Sequence, residues 1–172
     1  MIAELERWHD FYVLVGTAGA TLLALLFVAV SLGAGFLDES RAAPTRAFYS
    51  PVVVHFTAVF FLAAISLVPA HHPGFFAAMI CACAVIGAVV SLFVTVQLLR
   101  HDWTRYAQDH ISYALLPTIA YVALLVAAWL IWNGNDLALD VLAGALLLLL
   151  VINIRNAWDL TLSMVRHQTE RR

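Results

Sequence analysis

The sequence predicts an all-α membrane protein: a bundle of five transmembrane helices with the N-terminus outside and the C-terminus inside. Three observations point there. Of 172 residues, 63% are apolar and only 12% charged, against about 45–50% and about 25% in a soluble domain. Five apolar runs approach or exceed the roughly 20 residues that a spanning helix needs. Finally, the basic residues sort by loop in the way membrane topology demands. This composition excludes a disordered chain, a collagen, a nucleic-acid binder and a secreted disulfide scaffold.

The first run, Phe11 to Leu37, has no charge over 27 residues. It follows a mostly acidic start (Glu4, Glu6, Arg7, Asp10), which is the opposite of a signal peptide. A polar loop, Asp38 to Ser50, leads to the second run, 51–70, where Pro51 suits a helix start. His71-His72-Pro73-Gly74 reads as a tight turn. The third run is 75–99, and a polar loop from Arg100 to His110 follows it. The fourth is 111–132 with Pro117 inside it, the turn Asn133-Gly134-Asn135-Asp136 follows, and the fifth is 137–165. None alternates in polarity as a membrane barrel strand does. Helices satisfy every backbone group internally, which lipid requires.

Five passes place the N-terminus and the turns at 71–74 and 133–136 on one face, with Arg7. The other face receives Arg41, Arg46, Arg100, Arg105, Arg166, Arg171 and Arg172. Seven against one marks the second face as the cytoplasmic one. The nine basic residues are all arginine. Cys81 and Cys83 point in different directions on one helix, which suits packing better than a disulfide or zinc site.

Two small-residue stripes, Gly16-Ala20-Ala24 and Cys83-Gly87-Ser91, let helices approach closely. The costly residues lie elsewhere. On the fifth helix Asn153, Arg155, Asn156 and Asp159 fall within an arc of about 160°, and Arg155 and Asp159 are spaced to pair. Counted from Asp140, Arg155 is about 22 Å deep and Asp159 about 28 Å, near the inner edge of a core about 30 Å thick. His55 and Gln97 sit close to the same side. Pro117 deprives the carbonyl of Tyr113 of its helical donor. The expectation is a cytoplasmic-side polar layer of His55, Gln97, Tyr113, Asn153, Arg155, Asn156 and Asp159.

On the outer face His9, Asp10, His71, His72, Asp136 and Asp140 are weak metal-ligand candidates by residue type alone, and no metal or cofactor is expected. No hydrolase, redox, nucleotide or metalloprotease signature occurs, so no catalytic centre is expected. The opening Trp8-His9-Asp10-Phe11-Tyr12, Gly16-Thr17-Ala18 and Leu25-Leu26-Phe27-Val28-Ala29-Val30-Ser31-Leu32, with Arg155-Asn156-Ala157-Trp158-Asp159 near the end, resembles a group of small bacterial multi-pass inner-membrane proteins. Some of these are labelled modulators of a membrane-bound ATP-dependent protease. Two functions follow as expectations. One is an interaction or regulatory protein that docks a larger membrane partner; the other is a homo-oligomeric channel or small transporter lined by the polar layer.

Overall fold

Backbone polar groups in hydrocarbon have no water to bond with, so the chain must close its hydrogen bonds within itself. The computed structural model describes residues 6–33, 39–69, 72–101 and 111–169. Among them every regular element is helical. These are α1 (His9–Gly33), α2 (Glu39–Ser66), α3 (Pro73–His101), a π-helical turn (Ile111–Leu115) running into α4 (Leu116–Trp132), and α5 (Ala138–Thr169). Four stretches are long and apolar enough to cross a membrane: His9–Ala29, Pro73–Gln97, Tyr113–Trp132 and Ala138–Asp159. The apolar part of α2, Pro51–Ser66, is shorter.

The bounds differ from expectation chiefly at α2. Its backbone is helical from Glu39, so Pro51 lies within the helix and most of the expected 38–50 loop is helix too. Glu39, Arg41, Ala42, Ala43, Arg46 and Ala47 are strong helix formers, and each proline removes only one main-chain donor. The expected end of the first helix at Leu37 lies outside the described residues, as does most of the 100–110 loop. The 133–136 turn is present as read. Gly134 takes φ +67°, a conformation that suits glycine, and Asn135 Oδ1 accepts the Leu137 N–H at 2.9 Å. At the other turn the Phe75 and Phe76 N–H groups donate to the His72 carbonyl, which closes the start of α3.

Tyr12 of α1, Leu62 of α2, Phe76 of α3, Ile131 of α4 and Leu139 of α5 belong to one buried cluster. The starts of α1, α3 and α5 therefore meet the ends of α2 and α4, and successive helices run in opposite directions. A second cluster holds Leu26, Val52, Phe56, Val94, Tyr113 and Ala114 at the other end. Both small-residue stripes serve contacts within the chain. A Cβ at Gly16 would lie 3.2 Å from the Ala63 Cβ, and one at Gly87 would fall inside the Tyr121 ring. Ser91, one turn on, donates to the Ala114 carbonyl and bonds Thr118 Oγ1 at 2.8 Å.

Two glycine replacements separate these roles. Gly87→Ala must displace Tyr121, and overpacking of this kind costs about 1–3 kcal/mol. Gly144 is exposed and a Cβ there meets nothing within 4 Å, so Gly144→Ala should gain about 0.5–1 kcal/mol from backbone entropy. Reversible unfolding in mixed micelles measures both.

Candidate functional site

Intramembrane polar side chains are costly unless they face protein or water, and they mark the places where a bundle does something other than pack. The seven residues expected to form one layer divide into two sets. His55, Tyr113, Asn153 and Asn156 are buried. Arg155 and Asp159 form an i, i+4 ion pair at 4.0 Å, with side chains 47% and 44% exposed, which places the pair at the outer edge of the bundle. Gln97 on α3 is half-buried. The arc on α5 thus straddles the edge of its buried face, with the two amides on the inner side and the two charges on the outer.

The buried set occupies two levels. At one, the Tyr113 hydroxyl donates to the Asn156 main-chain oxygen at 3.1 Å, tying the π turn to α5. At the other, His55 Nδ1 and the Tyr121 hydroxyl lie 2.6 Å apart. Tyr121 is eight residues from Tyr113, about 12 Å along the helix. His55 is 1% exposed and Tyr121 fully buried. Which partner donates depends on the imidazole tautomer, because a neutral ring has one donor and one acceptor nitrogen. The glycine at 87 is what lets α3 come close enough for the Tyr121 ring to reach this position.

Tyr121 was not among the sequence candidates. Its signal was a phenol in the middle of an apolar run, since a buried tyrosine hydroxyl needs a partner. Tyr12 belongs here as well: it is fully buried, and its hydroxyl has no hydrogen-bond partner among the described residues. In the sequence it stands beside Trp8 and Phe11, aromatic residues of the kind enriched at a membrane–water interface. The structure does bring those three rings together, with Phe11 edge-on to both Trp8 and Tyr12.

Beside the Tyr113 carbonyl that Pro117 leaves without its helical donor, the Thr118 and Ser91 hydroxyls both converge on the next carbonyl, that of Ala114, at 2.8 and 3.3 Å. The π turn just before Pro117 widens the backbone ring where the proline removes a donor.

At the opposite end, His9, Asp10, His72, Asp136 and Asp140 are exposed, while His71 lies outside the described residues. Among the described residues no three His, Cys, Asp or Glu side chains are grouped closely enough to hold a metal ion. Cys81 and Cys83 are free thiols.

No family model, curated protein or solved structure matches this chain.

The His55–Tyr121 bond can be tested by a double-mutant cycle. Tyr121→Phe strands a buried imidazole nitrogen and should cost about 1–3 kcal/mol. His55→Leu strands the phenol at similar cost. The pair together should be less damaging than the sum by at least about 0.6 kcal/mol, the average for interhelical hydrogen bonds in membranes. Unfolding free energies of the four proteins in one micelle system provide the check.

Proposed function

We propose that this chain is an accessory or regulatory protein of the bacterial inner membrane, without a catalytic centre, that docks a larger membrane protein along one side of α5. The observation that carries this is the outward Arg155–Asp159 pair. It lies beside exposed Val151, Ile154 and Trp158. A charge deep in a bilayer costs about 2.5–3.5 kcal/mol on insertion scales. A pair turned inward would serve the bundle; a pair turned outward serves what lies beside it. Near the inner edge of the core a lone arginine could snorkel to headgroups. A flat apolar strip with a paired arginine, an aspartate and a tryptophan is better suited to a protein surface, where tryptophan and arginine are enriched.

In this reading α2 is the fifth span. Its apolar part, Pro51–Ser66, is about 24 Å long, and residues 39–50 extend the same helix beyond it at the inner end. Five spans leave the arginine-rich segments inside and the N-terminus outside, as the positive-inside bias requires.

The channel or transporter reading has less support. Beyond His55 and Tyr121 the described interior is filled mainly by Leu62, Phe76, Ile80, Leu124, Leu142 and Leu146, with only the Tyr12 phenol and the Ser66 hydroxyl as buried polar side chains among the described residues there. A pathway would therefore have to form between copies of the chain.

A photo-reactive residue in place of Trp158, activated in native membranes, tests the proposal. The expected result is an adduct of constant mass with one different membrane protein, reduced at least fivefold by Arg155→Ala. Adducts with lipid alone, or with a second copy of this chain, would overturn it; the second outcome would favour an assembled pathway.

A further inference from the structure

Buried amides in a membrane bundle are expected to be bonded at both ends, because hydrocarbon offers no substitute for water. Asn153 departs from this. It is fully buried, and neither Oδ1 nor Nδ2 has a hydrogen-bond partner among the described residues. Val52 and Phe56 of α2 form part of a cluster against which Leu150 and Ala157 of α5 pack. Asn153 stands midway between those two α5 residues. Phe56 follows His55 directly in the chain, so the amide and the imidazole lie on neighbouring turns of two packed helices.

Two bonds that are made bracket the position. The Tyr113–Asn156 bond lies one turn further along α5, about 4.5 Å away. The His55–Tyr121 bond lies on the opposite side, since α4 and α5 run in opposite directions. A polar series therefore leads from the end of the bundle that carries Arg155, through Asn156 and Tyr113, past Asn153, to His55. Beyond it lies the mainly apolar cluster, whose buried phenol Tyr12 is at the far end of the bundle.

The amide specifies the chemistry of what it holds. Oδ1 asks for a donor and Nδ2 for an acceptor. A cation would leave Nδ2 unmet, an anion would leave Oδ1 unmet, and a lipid chain would meet neither. A small neutral molecule that donates and accepts satisfies both, and water is the smallest such molecule. Buried waters typically make about three hydrogen bonds to polar groups of this kind. We infer that Asn153 anchors an internal water site, entered from the Arg155 end, that places solvent beside the His55–Tyr121 pair. The site is independent of whether α5 docks a partner. Its consequence is that the imidazole, buried as it is, exchanges its ring proton with solvent, one proton leaving for each that arrives.

The test uses the full-length protein in liposomes, with 15N-histidine and solid-state NMR. The His55 signal is identified among the seven histidines by its loss in His55→Gln, and magnetisation transfer from water to its ring N–H is measured. The wild type should show transfer, Asn153→Ser should keep it, and Asn153→Leu should reduce it at least fivefold; Asn153→Ala replaces the leucine variant if that does not fold. Absence of transfer in the wild type, or equal transfer in the apolar variant, would overturn the inference. The wild-type spectrum alone can do so, whatever the variants' stability.

Discussion

Hydrocarbon will not accept an unmet hydrogen-bonding group, and the arrangement of this chain follows from how each such group is disposed of. The backbone is taken care of by helices. Side-chain hydroxyls on the spanning helices bond back to their own turn, as Ser31, Thr57, Ser66 and Thr95 do to the carbonyl four residues earlier. What remains is a small set: the His55 imidazole, the Tyr12, Tyr113 and Tyr121 phenols, the Asn153 and Asn156 amides, and the Arg155–Asp159 ion pair, which α5 closes on itself. The fold turns the first three kinds inward and the last kind outward. That division, more than the apolar packing, distinguishes one helix face from another in a chain whose helices are apolar all round.

The interior bonds and the close approaches depend on each other. Tyr121 meets His55 only because α3 presents a glycine where any side chain would occupy the ring's place. Thr118, one turn before Tyr121, shares a hydrogen bond with Ser91, one turn beyond Gly87. The α3–α4 seam thus holds a proline-interrupted helix in position, and that helix in turn presents Tyr113 to α5 and Tyr121 to α2. Small residues that read as a generic packing stripe are the means by which the polar interior is assembled.

Much of the fold was legible in the residues, because length and apolarity suffice to place a membrane helix. The turn at 133–136 was legible for a local reason: only glycine takes the φ of position 134 easily. The segment 38–50 was misread because Pro44 within it, Pro51 just after it and several charges suggest a loop, whereas the alanine, arginine and glutamate around them favour helix. The polar site was only half legible. Angles of 100° per residue group Asn153, Asn156, Asp159 and Arg155 on one side of α5, but they cannot say which way the bundle lies. An all-round apolar helix has no polar face to fix its rotation, so the division between buried amides and outward charges needed the neighbouring helices. The His55–Tyr121 bond spans 66 positions in the chain, and no local pattern announces it.

The proposed topology requires an odd number of crossings, which would bring the arginine-rich segments and the charged end of α5 to a single water boundary. Paired fusions measure it most directly: an alkaline phosphatase and a fluorescent protein, each attached in turn to the N-terminus and after Arg172, in cells. Phosphatase activity at the N-terminus with fluorescence at the C-terminus is the predicted result. The same reporter active at both ends would mean an even number of crossings and would contradict it.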